Sequence, residues 1–383
     1  MIFKKPLAKL LNTFTDKPIN DKTLTQIDIT ITVVGILATI VSILVGLQFG
    51  LVSSLIIAVA TIFGLIPLTF GLFWMASRII DGPVRPSNPY TPWTPVTPPH
   101  FVGRQRLLNQ LADHLDKNES VSIVGDRRIG KTSVLQTWAQ MQKKQGRPVI
   151  CVSGEGAEAN DLALFINKIT QKQAANEPES AANLLSQWAD EVNEKFHYPP
   201  LVLADEAERF IEQFPPRFFE RLRGMLGRVV WIFASRQDID EVYQTFHQNT
   251  SPFENRLSLK RLGLLDPEEA EALIHLGGQL TDEEAALMRH WAGRQPFFLQ
   301  LLGRGLLDGR GNPIQTILDE FQNEADKRLR RIWQHLNQAE QQALKNGLNG
   351  QPATLRTLRS RGLVTDEGQL FGQVLEEWLK TQP

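Results

Sequence analysis

SVSIVGDRRIGKTS, spanning Ser120 to Ser133, is the stretch from which the rest of the chain is read. Ser120–Val124 is a short apolar, β-branched run, the pattern of a buried strand. Gly125 follows, then four residues, then Gly130, Lys131 and Thr132, which completes the spacing G-x-x-x-x-G-K-[ST]. Glycine at its two positions lets backbone N–H groups turn inward toward phosphate oxygens. A lysine at 131 reaches the β- and γ-phosphates, and a threonine hydroxyl at 132 ligates Mg2+. A helix opening near Lys131, continued by SVLQTWAQMQ over Ser133–Gln142, aims the positive end of its dipole at the anion. The candidate phosphate contacts are Gly125, Asp126, Arg127, Arg128, Ile129, Gly130, Lys131, Thr132 and Ser133. The expected ligands are ATP or ADP with Mg2+.

Such a site needs an acid on the metal side. Pro199–Glu206 reads PPLVLADE, and Leu201, Val202, Leu203 and Ala204 form a strand that ends in two carboxylates. Asp205 stands where a Mg2+-coordinating aspartate belongs, so Thr132 and Asp205 are the expected metal ligands. Glu206 stands where a base polarises the attacking water. A further buried strand, RVVWIFASR over Arg228–Arg236, ends on Ser235 and Arg236, where a cation can sense or stabilise the γ-phosphate. Lys131, Asp205, Glu206 and Arg236 are then the candidate catalytic groups for a slow, regulatory hydrolysis of ATP to ADP and phosphate.

The 383 residues allow two or three domains, and 41 basic against 42 acidic residues leave no global field that argues for nucleic acid. The single cysteine, Cys151, sits in the apolar run PVICVSG and is expected to be a small buried hydrophobe. No disulfide or zinc framework can form within one chain, and the seven histidines show no metal spacing.

From Ile29 to Ser77 there is no charged residue. As one helix this stretch would run roughly 70 Å at about 1.5 Å per residue, over twice a ~30 Å hydrocarbon core. Two crossings of a lipid bilayer are expected, Ile29–Gly46 and Leu51–Met75, turned at Gly46, Gln48 and Gly50. Lys4, Lys5, Lys9, Lys17 and Lys22 precede the pair, and Arg78 and Arg85 follow it. The positive-inside rule then places both ends in the cytosol, where ATP is, as for a protein of the bacterial inner membrane. Beyond it, Pro83, Pro86, Pro89, Pro92, Pro95 and Pro98 recur every third residue, with Pro99 added. Polyproline II has that period, so Pro83–Pro99 is expected to be a semi-rigid spacer of about 50 Å. Tyr90 and Trp93 are placed to dock on the headgroups or on the soluble part.

Phe101-Val102-Gly103-Arg104 precedes an amphipathic helix carrying Leu107, Leu108, Leu111 and Leu115. Asp266 before Pro267 reads as a helix cap, and WAGRQPFFLQLL over Trp291–Leu302 as a turn with Pro296 opening an apolar helix. In their order, FVGR, GDRRIGKTS, LVLADE, IFASR and GRQP resemble the STAND class of signal-transduction ATPases, relatives of the AAA+ group. The resemblance covers roughly three quarters of the chain, from about Phe101 onward. It implies that Val102 and Arg104 line the base and ribose side, that Arg236 is the strand-end phosphate sensor, and that Pro296 packs against adenine. It further implies a lid and a winged helix that close over ADP and open with ATP. No histidine at the C-terminal end matches the family's ADP-sensing one.

The expected fold class is α/β: a P-loop NTPase parallel sheet of ASCE/AAA+-like type with a helical lid and a winged-helix domain, preceded by a transmembrane helical hairpin. The expected divisions are a basic N-terminal segment (1–27), the hairpin (28–78), the proline-rich linker (79–99), the ATPase domain (100–265), the lid (266–322) and the winged helix (323–383). Strands are expected near Ser120–Val124, Pro148–Ser153, Leu201–Asp205, Val229–Ala234 and Leu257–Leu259. Glu155–Lys195 reads as mostly helical, with a polar surface break at Asn176–Ser180.

Three functions compete. The first is a membrane-tethered ATP/ADP switch that becomes a homo-oligomer in the ATP state, serves signalling or defence, and depends on a separate sensor or effector protein. The second is a membrane-tethered AAA+-like ATPase whose winged helix binds DNA, with Arg356, Arg359 and Arg361 on its recognition helix and Lys327, Arg328, Arg330 and Arg331 upstream. From Glu324 to Pro383, nine basic against seven acidic residues make a weak stripe for phosphate tracking, which ranks DNA second. The third is a scaffold that binds nucleotide and hardly turns it over.

Overall fold

The computed structural model describes residues 88–247 and 256–382. The expected membrane crossings, Ile29–Gly46 and Leu51–Met75, lie outside the described residues. Among the described residues, no helix is long and apolar enough to cross a membrane.

Helix α1 (Gln105–Asp116) buries Leu107, Leu108, Leu111 and Leu115, the stripe its spacing predicts. Strand β1 (Val121–Val124) leads through the phosphate loop into α2 (Lys131–Lys144). Strand β2 (Val149–Ser153) is followed by α3 (Leu162–Thr170) and α4 (Pro178–Phe196). Then come β3 (Leu201–Asp205), α5 (Glu208–Gln213), α6 (Pro216–Met225), β4 (Val230–Ser235), α7 (Ile239–Phe246) and β5 (Ser258–Arg261). The five strands form one sheet, all parallel, in the order β2-β3-β4-β1-β5.

Every residue of β1 and β4 is buried, as a parallel sheet covered on both faces requires. The side chains alternate between two cores. Val202, Ala204, Trp231 and Phe233 meet Phe165, Phe210 and Phe218 on one face, whereas Leu203, Ile232 and Ala234 meet Leu111, Val134 and Trp138 on the other. The two ends of the sheet are less covered. Cys151 on end strand β2 is exposed rather than buried, because an end strand has a neighbour on one side only. The polar break also differs from expectation: Glu177 caps α4, accepting from the amides of Glu179 and Ser180, so Pro178–Ser180 are the first turn of a helix.

Past the sheet the chain is helical. Helix α8 (Pro267–Ile274) opens with a capping box between Asp266 and Glu269. Helix α9 (Asp282–Ala292) and α10 (Pro296–Asp308) follow, then α11 (Ile314–Gln334), α12 (Gln338–Lys345), α13 (Pro352–Ser360) and α14 (Gln373–Lys380). Between α13 and α14 a single antiparallel bridge joins Val364 to Leu370. The division expected at 322/323 falls inside α11, whose buried Ile317, Leu318, Phe321, Ala325 and Leu329 keep one helical period straight through it. Residues on both sides of that point share a third core.

The proline-rich stretch is not a free spacer over its described part. Tyr90 is buried in the third core, 1% exposed, and its hydroxyl donates to the Ile274 carbonyl at 2.5 Å. Gly303 on α10 makes this possible, because a Cβ there would press into the Tyr90 ring. Asn88 donates to Arg304 and Asp308, Thr91 N–H donates to Gln300 Oε1 at 2.7 Å, and Val96 N–H donates to Ser133 Oγ at 3.0 Å. Apolar burial and these bonds outweigh the extended preference of the prolines.

Candidate active site

The loop after β1 is shaped by backbone as much as by side chain. Gly130 takes φ 105° and Arg128 takes φ 65°, so the chain turns sharply before α2 begins. Lys131 is buried on the first turn of α2, and its ammonium donates to the carbonyls of Gly125 at 2.8 Å and Asp126 at 3.2 Å. Burial pulls its pKa down, while Glu208, Asp205, Glu206 and Asp126 act in the opposite direction. Two of its three N–H donors are used inside the loop, which leaves one for a phosphate oxygen.

Thr132 Oγ1 donates to Asp205 Oδ2 at 2.6 Å. This contact joins α2 to the end of β3 although β4 lies between β1 and β3 in the sheet. A hydroxyl and a carboxylate in contact, facing a phosphate loop, are the hard oxygen donors that Mg2+ takes while keeping its other positions for water and phosphate. The residues therefore fit a magnesium–nucleotide.

Glu206 follows with φ 51°, a left-handed conformation unusual for glutamate. Gly154, at the end of neighbouring β2, lets this happen: a Cβ there would collide with the Glu206 backbone. The Gly154 amide donates to Asp205 O at 2.8 Å and holds the two strand ends together. Burial, then the Glu208 carboxylate, push the Glu206 pKa up, against Arg236 and Lys131.

Arg236 is turned to the acids rather than to the cleft. Its Nε donates to Glu208 Oε1 at 2.7 Å, and a guanidinium nitrogen stands 3.9 Å from Glu206 Oε2. Lys131, Thr132, Asp205 and Glu206 line the cleft, and Arg236 stands behind them.

The cleft is about 520 Å³ in volume. The phosphate loop and the acids share its lining with the apolar Val102, Leu265, Leu273 and Pro296. That mixture suits a ligand with a flat apolar base and a charged tail. Arg104 lies on the wall, but its guanidinium is spent on the chain itself, donating to the carbonyls of Leu264, Ile129 and Gly263. Burial pulls its pKa down to about 10, which leaves it charged at neutral pH. It ties the loop to the segment after β5 and offers less to a ribose than its position implies. Asp126 likewise turns away from phosphate. Its Oδ1 accepts from the Arg127 amide, and its Oδ2 stands 3.5 Å from Arg361 past the end of α13, which also donates to buried Glu340 at 2.8 Å.

Two residues of the site escaped the sequence reading. Arg328 and Arg331, in the basic run assigned to DNA, line the cleft from α11. Arg328 sits 5.4 Å from both the Trp93 and Phe297 rings, and Arg128 sits 5.8 Å from Phe297 on the loop side. Burial and then the guanidiniums of Arg128, Arg331 and Arg127 pull the Arg328 pKa down. Four arginines therefore converge where phosphate charge is expected. His335 lines a smaller cavity beside Arg127, Arg128 and Asp126. The only hint was periodicity: 328, 331 and 335 fall on one face of a helix.

Residues 100–246 match the family model of the AAA ATPase domain. Among solved structures, a Walker-type ATPase of Pyrococcus abyssi aligns with TM-score 0.50 and 13% identity over 73% of this chain and 96% of its own. The ORC2 protein of Aeropyrum pernix aligns with TM-score 0.47 and 14% identity over 72% and 92%. Cdc6p of Pyrobaculum aerophilum aligns with TM-score 0.41 and 11% identity over 74% and 96%. A comparison with curated proteins finds no match. Of these, the Pyrococcus abyssi likeness speaks for the fold, a parallel P-loop α/β sheet, and residues 100–246 are similar to the AAA ATPase domain.

Proposed function

We propose that this chain binds ATP with Mg2+, hydrolyses it slowly, and uses the nucleotide state to switch the assembly of a membrane-anchored, STAND-type protein. The observation that carries the catalytic part is the 2.6 Å contact between Thr132 and Asp205, with Glu206 next in the chain and Lys131 buried beside them. Thr132 and Asp205 would hold Mg2+, which neutralises phosphate charge when bound. Lys131 orients the β- and γ-phosphates, and Glu206 accepts a proton from the attacking water. Arg236, held by Glu208, keeps a positive charge near the Glu206 carboxylate.

Glu206→Gln tests the catalytic role. Turnover should fall by about 10²–10⁴-fold, the usual worth of a general base, while calorimetry finds ATP binding retained. Unchanged turnover would mean that Glu206 is not the base. A pH profile adds a second readout. Glu206 must be deprotonated to act, and its pKa is raised, so the acid limb of turnover lies above the ordinary glutamate range. Glu208→Gln removes a carboxylate that raises it and frees Arg236, so the limb should move to lower pH. A limb that stays or moves up assigns the base elsewhere.

The membrane part rests on the charge-free stretch Ile29–Ser77 and its basic flanks. In this reading the N-terminus and the ATPase are cytosolic, the hairpin clusters when ATP drives homo-oligomerisation, and a separate sensor or effector protein reads the result in signalling or defence. Sizing the full chain with ADP against a slowly hydrolysed ATP analogue checks it; one size in both states refutes the switch.

A DNA-reading winged helix built from α12, α13, the Val364–Leu370 bridge and α14 is the second reading. It stands second because Arg361 is engaged by Asp126 and Glu340, and Arg328 and Arg331 face the cleft. A salt-dependent shift of duplex DNA by the full chain, lost in Arg359→Glu, would favour it.

A further inference from the structure

Residues 88–96 run as a strap across the cleft and are held at both ends by different means. At the helical end, Tyr90 is fully buried with its hydroxyl on Ile274, and the Thr91 amide is bonded to Gln300. At the loop end the hold is lighter. Arg128 donates to the Pro92 carbonyl at 3.4 Å and the Trp93 carbonyl at 3.2 Å, and the Val96 amide donates to Ser133 Oγ. Trp93 remains 39% exposed, with its ring edge-on to Phe297. The strap from Thr91 to Val96 lines the same cleft as Lys131 and Thr132.

We propose that the strap and the phosphates of a bound nucleotide compete for Arg128, so that nucleotide occupancy detaches the strap from the phosphate loop while Tyr90 keeps it on the helical core. This rests on the nucleotide site proposed above and adds a regulation to it. The direction follows from the partners. Arg128 holds two neutral carbonyls at long distance, whereas a phosphate carries full negative charge and accepts a guanidinium in the bidentate geometry. Arg128 also faces Arg127, Arg328 and Arg331, and Arg328 titrates low partly through their charge, so an anion there is drawn to guanidiniums already crowded together. The strap continues directly into the first 87 residues. The nucleotide state is thereby registered at the N-terminal end of the described residues without passing through the sheet.

Amide exchange on the full chain, with and without ATP and Mg2+, separates the two ends. The Val96 amide reports the loop end; the Thr91 amide reports the helical end. Nucleotide should make exchange at Val96 about tenfold faster, as loss of one hydrogen bond allows, with Thr91 unchanged. In Arg128→Gln, Val96 should exchange fast without nucleotide, and nucleotide should add nothing. Slower exchange at Val96 on binding would mean that the strap clamps the nucleotide, and this overturns the proposal. Binding by calorimetry with no change at Val96 overturns it as well and leaves the nucleotide site standing. Absence of binding removes both.

Discussion

Lys131→Ala is expected to lower ATP turnover by about 10²–10³-fold, the loss that follows removal of one preorganised donor to developing phosphate charge. Calorimetric binding should fall with it. The effect is large because the ammonium is buried and works on several partners at once. It holds the carbonyls of Gly125 and Asp126, and it offsets the crowded charges of Asp205, Glu206 and Glu208. Removing it takes away a buried cation that favours the charged acids and leaves the loop carbonyls without a donor. The fold should survive, since the cores above and below the sheet are untouched. Unaltered ATP binding by a folded Lys131→Ala chain would place the nucleotide somewhere else.

Tyr90→Ala is expected to destabilise the full chain by about 3–5 kcal/mol in denaturant unfolding, the usual cost of emptying a buried aromatic site. Tyr90→Phe, which loses only the hydroxyl bond to Ile274, should cost about 1 kcal/mol. The Tyr90 pKa is pushed up to about 12, chiefly by burial, so the phenol stays protonated across any practical pH range. The split between the two variants matters. A large loss for alanine with a small one for phenylalanine means that packing against Gly303 holds the strap. A loss below about 1 kcal/mol for alanine would make residues 88–96 a surface tail, with no part in the core.

The phosphate loop, the acid strand and the five strands of the sheet were legible because each is local. Strand, glycine spacing and helix follow one another within a few residues, and the apolar runs at 121–124, 201–204 and 230–234 carry their own burial signal. What escaped depends on residues far apart in sequence meeting in space. Tyr90 stands among prolines whose period speaks for an extended spacer, and only Gly303, more than 200 residues on, reveals its pocket. Arg328 and Arg331 sit in a basic run whose composition suits DNA, and only the path of α11 turns them to the cleft. Cys151 looked like its apolar neighbours because a sequence does not say which strand ends a sheet. The left-handed turn at Glu206 left no mark in its own residue type; the signal was Gly154, fifty residues earlier.

Helix α11 gives the molecule a lever. Its 21 residues run about 30 Å at 1.5 Å per residue without a joint. Within two turns it presents Arg328 and Arg331 to the cleft and Asp326 to the Trp378 indole at 2.9 Å. No glycine or proline interrupts the rod. The same rod carries the Asp326 contact to α14. Severing the gene at codon 322 would cut that rod in two, and with it the core that α11 shares on both sides of the cut.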